Sequence, residues 1–311
     1  MKKIAFIFPG QGAQYIGMGK DFYENIAICK KVYQSASEIT GIDIEALCFE
    51  ENDKLNITEF TQIAMVTTEI AILKALEERG FHADVTAGLS LGEYAALVAC
   101  GAVKEETIYS LIRKRGIFMQ EAYPTGGAMT AILGLDAGII ETICEKTEGI
   151  VGIANYNCPG QIVISGEEKA VSEAAAKMKD AGAKRCISLK VSGPFHSPLL
   201  SGAGVKLRKE LCNLEASKPV IPYISNVTAN IVLESSQIPS LLEKQVSSPV
   251  KWQQTIEKMI QDGVTDFIEI GPGKTLSNFV KKINPQANVF NVEKLEELEE
   301  LVAGKNGTSS V

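Results

Sequence analysis

No apolar run in the chain approaches the ~18 residues that a membrane-spanning helix requires, so a transmembrane protein is not expected. The one early hydrophobic stretch, Ile4 to Phe8 behind Met1-Lys2-Lys3, stops at Pro9-Gly10. That is too short for a signal peptide and reads instead as a first strand. A basic excess is missing as well: 31 Lys and Arg against 38 Asp and Glu leave a formal net charge of -7, which argues against generic nucleic-acid binding. The 7 cysteines include no C-x-x-C pair and are odd in number, as expected of scattered reduced thiols in a cytoplasmic protein. Nucleotide loops are absent too. Pro9-Gly10-Gln11-Gly12-Ala13-Gln14 would need glycine where Tyr15 stands to be a dinucleotide fingerprint, and Gly273-Lys274-Thr275 would need glycine in place of Ile268 to be a Walker loop.

What remains is an ordinary globular composition, 45% hydrophobic and 22% charged over 311 residues, long enough for a large domain with a smaller insert. Ile4 to Phe8 reads as a central strand, 21–38 and 59–79 as helices, the second with Ile63, Val66, Ile70, Leu73 and Leu76 on one face. A strand over 83–87 leads to a helix over 91–99, and another helix spans 105–122. From 124 the texture changes to short strands (128–133, 150–155, 161–165, 183–189) alternating with helices at 136–147 and 167–181, the β-α-β-β-α-β order of a ferredoxin-like unit. The stretch 155–160 between its middle strands is either an ordinary turn or a loop reaching the mouth of a cleft. Beyond it come an irregular loop at 192–198, helices at 199–214, 238–246 and 252–262, and strands at 221–225 and 265–270. A Glu/Leu-rich tail follows Val292 and ends in residues expected to be disordered. The expected fold is α/β: a large α/β-hydrolase-like domain (1–123 and 194–311) with a mainly parallel central sheet, and an inserted small ferredoxin-like α+β domain (124–193).

The chemistry gathers around Gly88-Leu89-Ser90-Leu91-Gly92, a GxSxG pattern between strand and helix. Its glycines permit a sharp turn that presents the serine hydroxyl, with the N–H of Leu91 at a helix start where an oxyanion can form. A bland alternative is a glycine-rich turn with a serine cap. An activated serine needs a base, and the chain has 2 histidines. His82 lies at the far end of the strand that carries Ser90, so elimination selects His196, in Ser192-Gly193-Pro194-Phe195-His196-Ser197-Pro198. No acid between Ser90 and His196 sits in a convincing loop, which leaves a backbone or amide carbonyl to orient the ring. On the helix over 105–122, Arg115 occupies a place on the apolar stripe of Ile108, Leu111, Ile112, Met119 and Ala122. A guanidinium aimed inward needs a partner: an internal ion pair, with Glu93 for example, or a stem that snorkels out.

Taken together with Pro9 to Gln14, Arg115-Gly116-Ile117-Phe118-Met119-Gln120, Asn157-Cys158-Pro159-Gly160-Gln161, Gly193 to Ser197, Gln245 through Trp252 and Gly271-Pro272-Gly273, these motifs resemble malonyl-CoA:acyl carrier protein transacylases, related to polyketide synthase acyltransferase domains. The resemblance runs from Phe6 to about Val292. It implies Ser90 as nucleophile, His196 as base, an oxyanion hole from the N–H groups of Gln11 and Leu91, and Arg115 holding the malonyl carboxylate. It also implies Phe195, Met119 and Asn157 around the acyl group, with the main-chain carbonyl of Gln245 orienting His196. Phe195 resembles the malonyl-selective form, and Leu89, where many relatives have histidine, contributes pocket shape. The implied partners are malonyl-CoA and an acidic acyl carrier protein, greeted by some of Lys184, Arg185, Lys190, Lys206, Arg208, Lys281 and Lys282. No bound cofactor, metal, nucleic acid or membrane is implied, and a monomer is expected. The alternatives are a serine acyl hydrolase, a trans-acting polyketide acyltransferase, and a non-catalytic carrier-binding module.

Overall fold

The structure, a computed structural model, describes residues 2–191 and 193–307, the last three by backbone alone. Strand β1 (Ile4–Phe8) is followed by helices α1 (Lys20–Asn25), α2 (Ala27–Thr40), α3 (Ile44–Phe49) and α4 (Thr58–Glu78), then by β2 (Val85–Gly88), a single 3-10 turn over Ser90–Gly92, α5 (Glu93–Ala99) and α6 (Glu105–Ala122). The helix expected over 21–38 is broken at Ile26, whose extended backbone (φ -124°, ψ 116°) ends α1 and starts α2. Helix α4 is buried on all sides rather than along one stripe. Gln62, Thr67, Thr68 and Glu69 are as enclosed as Ile63 and Leu73, because α2, α5 and α6 pack around it. A helix surrounded in this way has no wet face for an amphipathic pattern to mark.

Next come β3 (Gly127–Leu133), α7 (Ala137–Glu145), β4 (Val151–Cys158), β5 (Gln161–Glu167), α8 (Glu168–Asp180) and β6 (Arg185–Ser188). They form a four-stranded antiparallel sheet in the order β4-β5-β3-β6, with the β-α-β-β-α-β succession read from the sequence. The open stretch expected at 155–160 is instead mostly strand: β4 continues to Cys158 and only Pro159-Gly160 turn, with Gly160 at φ 72°. Asparagines favour turns. Here, strand pairing and a bridge from Asn155 to Val250, reinforced by Tyr156 N–H donating to Val250 O at 2.9 Å, hold them extended.

After a 3-10 turn at Pro198–Leu200 the chain forms α9 (Ser201–Leu211), β7 (Tyr223–Ile224), β8 (Ile231–Val232), α10 (Ile238–Gln245), α11 (Trp252–Gln261), β9 (Asp266–Ile270), α12 (Thr275–Ile283), β10 (Asn288–Val292) and α13 (Leu295–Gly307). Helices α3 and α12 and strands β8 and β10 are additions to the sequence reading. The Glu/Leu-rich tail is helical, and α13 runs into the segment expected to be disordered; of that segment, 308–311 lie outside the described residues, as does Ser192 in the loop over 192–198.

The central sheet has six strands in the order β10-β9-β1-β2-β7-β8, parallel except for the β7-β8 pair at one edge. Its middle strand β1 is apolar throughout because both faces are covered. Phe6 and Phe8 enter one core with α2, α4, α5 and α6, while Ala5 and Ile7 enter the other with Trp252, Ile256 and Phe267. Phe8 lies opposite Gly88, so the Pro9 loop and the Ser90 turn leave the sheet side by side at its carboxyl edge. Open α/β sheets place their ligands at that edge.

Candidate active site

The turn at Ser90 is as tight as its glycines suggest. A Cβ on Gly88 would lie 1.9 Å from Gly92 C, and one on Gly92 would lie 2.2 Å from Phe8 O, so no other residue fits either place. Ser90 itself sits at φ 52°, in the left-handed region, and His196 does the same at φ 59°. Asn226, just past β7, fastens the turn: its Oδ1 accepts from Ser90 N–H and its Nδ2 donates to Gly88 O, both at 2.6 Å.

His196 meets Ser90, with Nε2 at 2.7 Å from Oγ and Nδ1 at 2.8 Å from the carbonyl of Gln245. A carbonyl only accepts, so Nδ1 carries the proton and Nε2 is left to take the serine's. Burial, and after it the nearby Arg115 cation, push the imidazole pKa down to about 4, which keeps the ring neutral at physiological pH. His82 is exposed ahead of β2, away from the hydroxyl.

Arg115 is only 1% exposed, so its stem does not snorkel out, and the alternative ion pair with Glu93 does not form either. Among the described residues no carboxylate lies within ion-pair distance of it. Its guanidinium instead donates to Gln62 Oε1 at 2.8 Å, Gln245 Oε1 at 3.0 Å and Ser90 Oγ at 3.3 Å, and it lies 5.2 Å from the centre of the Tyr94 ring. Among the described residues its Nε finds no acceptor. A buried cation with neutral neighbours and a free donor, beside a serine hydroxyl, has the chemistry to receive an anion. Desolvation lowers its pKa. Glu93 is fully buried on the other side of Gln245, where it accepts from Gln245 Nε2, from the Tyr223 hydroxyl and, more distantly, from Asn226 N–H. Burial pushes its carboxyl up to about 7, against the pull of these donors.

These groups open onto a cleft of about 280 Å³ between the two sheets. Gln11, Leu91, Met119, Asn157 and Phe195 line it with Ser90, Arg115 and His196, whereas Gln245 stands behind His196. The cleft therefore gathers every site residue read from the sequence except Gln245, which touches three of them: Ser90, Arg115 and His196. It also includes Asn155, in the stretch weighed as a cleft loop, and Gln62, Leu276 and Phe279, which the sequence reading missed. The last two lie on the unforeseen α12, and Gln62 was hidden in the uniformly buried α4. A larger hollow of about 820 Å³, between α12, α13 and the sheet edge, contains none of these groups. Among the described residues no helix is long and apolar enough to cross a membrane, and no cluster of metal-ligating side chains forms. Of the basic residues noted above, Lys206 and Arg208 are paired with Glu121 and Glu243, while Lys282 reaches Gln161 on the cleft rim.

A serine on a strained turn, a neutral histidine and an anion-ready arginine, at the carboxyl edge of a parallel sheet, define a serine-dependent acyl-handling α/β protein. The chain belongs to the acyl transferase domain family, whose pattern matches residues 5–298. It is 47% identical over 304 residues to the malonyl CoA-acyl carrier protein transacylase of Bacillus subtilis, covering 96% of each chain. It superposes with a TM-score of 0.95 on the crystal structure of malonyl CoA-acyl carrier protein transacylase from Clostridium perfringens, at 48% identity over 99% of this chain and 98% of that one. A type II PKS malonyl-transacylase, solved in complex with its acyl-carrier protein, aligns with a TM-score of 0.95 at 36% identity, over 97% of this chain and 100% of that one.

Proposed function

We propose that the protein transfers the malonyl group from malonyl-CoA to the phosphopantetheine thiol of acyl carrier protein, in two steps through a malonyl-serine ester. The observation that carries this reading is Arg115, a buried guanidinium without a carboxylate partner, 3.3 Å from Ser90 Oγ. A fatty acyl chain offers it nothing, while a malonyl carboxylate supplies the missing anion. Ser90 Oγ attacks the thioester carbonyl as His196 Nε2 takes its proton, and the oxyanion is held by the N–H groups of Gln11 and Leu91. Collapse of the intermediate breaks the C–S bond, and the proton passes from His196 to the departing coenzyme A sulfur. The carrier's thiol then gives its proton to His196 and attacks the ester, and Ser90 recovers a proton as it leaves. The main-chain carbonyl of Gln245 steadies the imidazolium formed in each half.

Phe195, Met119 and Asn157 shape the space around the acyl group from separate parts of the cleft wall. The reaction runs between a large domain made of 1–123 and 194–311 and a small inserted domain of 124–193. The thioester and the pantetheine arrive with the two substrates, so the scheme requires no resident cofactor. A monomer in the reducing cytoplasm, supplying fatty acid synthesis, suits the seven unpaired cysteines. The test is intact-protein mass after brief mixing with malonyl-CoA. A malonyl adduct that requires Ser90 and disappears onto added carrier protein supports the transfer. Loss of the adduct at the same rate without carrier makes water the acceptor and the protein a hydrolase.

A further inference from the structure

Gln245 touches His196, Arg115 and Ser90. Its main-chain carbonyl accepts from His196 Nδ1 at 2.8 Å, and its side-chain oxygen accepts from Arg115 at 3.0 Å. The side-chain nitrogen donates to Ser90 O at 2.8 Å and to Glu93 Oε2 at 2.5 Å. An amide of this kind fits in two orientations, and only its neighbours select between them. Here the selection is sharp, because Arg115 offers only donors while Ser90 O and the carboxylate offer acceptors. A half-turn of the amide would set its NH2 against the guanidinium and its oxygen against two acceptors.

We propose that Glu93 is a positioning residue of the transfer reaction, locking the Gln245 amide and through it the Arg115 fork and the His196 ring. It does at one remove what the aspartate of a Ser-His-Asp set does by touching the imidazole. This inference rests on the roles given above to Ser90, His196 and Arg115. Glu93 is wholly buried directly behind the serine turn, yet among the described residues its partners are neutral donors: Gln245 Nε2, the Tyr223 hydroxyl, Asn226 N–H and the Ser225 side chain. A buried carboxyl bound only to neutral groups costs stability relative to an apolar side chain of the same size. The obvious ionic partner, Arg115, is held away by the interposed Gln245 amide. The spacing has a chemical consequence, because a direct Glu93-Arg115 pair would neutralise the cation that an anionic acyl group requires. Asn226 ties the same carboxyl to the nucleophile: its N–H points to Glu93, and its side chain grips Ser90 N–H and Gly88 O.

Four variants test this: Glu93→Met, which removes the acceptor at similar length; Glu93→Asp, which keeps a carboxyl but withdraws it from Gln245; Glu93→Gln, which keeps an acceptor oxygen; and Tyr223→Phe, which removes another side-chain partner of the carboxyl and leaves Gln245 untouched. Acylation by malonyl-CoA is followed by quenched-flow mass spectrometry, alongside thermal unfolding. Glu93→Met and Glu93→Asp should each raise the malonyl-CoA KM and slow acylation by about tenfold or more, with Glu93→Gln recovering most of both. Tyr223→Phe should lower the unfolding midpoint while the malonyl-CoA KM stays within about twofold of the parent. The inference is overturned if Glu93→Asp acylates like the parent, or if Tyr223→Phe and Glu93→Met raise KM alike, as a purely structural carboxyl would require. Ser90→Ala separates the two levels. If it abolishes the adduct while both Glu93→Asp and Glu93→Met behave as the parent, this inference alone fails; if the adduct survives in Ser90→Ala, the underlying roles fail.

Discussion

At Ser90 and His196, the proposed nucleophile and base, the fold holds both residues on left-handed backbone, at φ 52° and 59°, where non-glycine residues cost about 1–3 kcal/mol each. Asn226 and Gln245 hold these positions from outside, and the result is a serine hydroxyl and an imidazole nitrogen 2.7 Å apart. Arg115 sets two measurable properties of this pair. Its substitution by alanine removes charge-assisted hydrogen bonds worth about 2–3 kcal/mol, so kcat/KM for malonyl-CoA should fall by roughly 30- to 150-fold while acetyl-CoA, which lacks the carboxylate, is spared. The same cation helps to push His196 down to about 4. Acylation of the parent should therefore stay near its plateau as pH falls through 6 and decline only near about 4, since the neutral ring is the active form. In Arg115→Ala the midpoint should move upward, toward the ordinary histidine value; an unmoved midpoint in the pH profile of acylation would remove Arg115 as a cause. Ser90, His196 and Arg115 were all legible in the sequence, through a motif, an elimination and a break in an apolar stripe. Gln62 and Asn226 were not, because their importance comes from contacts with residues far away in the chain, 53 and 136 positions distant.

Among the elements, α12 shows why part of the site escaped a reading by pattern. Gly271-Pro272-Gly273 looks like the end of a unit, and the next helix has no side-chain cap of its own at Lys274. Its cap comes from the preceding strand: Glu269 on β9 accepts from Leu276 N–H at 3.0 Å and Ser277 N–H at 2.7 Å. A carboxylate at a helix start satisfies orphan amides and suits the positive end of the dipole, although burial here raises its pKa. The first turn of α12 contributes Leu276 to the cleft, and Phe279 follows one turn on. Glu269→Ala should thus cost about 1–2 kcal/mol in urea unfolding, typical of a lost cap, and should loosen that wall. Faster amide exchange confined to 275–279 is the signature, and unchanged exchange there would show that the helix start is held by something else. The small sheet was readable because its alternation of short strands and helices is local. The stretch from Asn155 to Gly160 reads from the sequence as either a turn or a cleft loop, because only the pairing with Val250, far along the chain, shows that β4 extends through it.

For the whole molecule, the buried site links stability to pH through two groups that act in opposite directions. Glu93 is raised from its ordinary value of 4.5 to about 7, so the folded state holds a proton that the unfolded chain has released, and stability falls as pH rises through that window. His196 is lowered from 6.5 to about 4, so the unfolded chain binds the proton, and stability falls as pH drops through that window. Between 4.5 and 6.5 the windows overlap and the two slopes, each about 1.4 kcal/mol per pH unit at most, largely cancel. Glu93→Gln removes one side of this balance. The variant should lose stability more steeply than the parent as pH is lowered from 6.5 toward 4.5, by an additional 1–3 kcal/mol as an order-of-magnitude figure, roughly what one unopposed buried histidine exacts. Urea midpoints for both proteins across that range decide the matter. Parallel curves would mean that Glu93 is ionised in the folded state at acid pH, and that its neutral donors outweigh its burial.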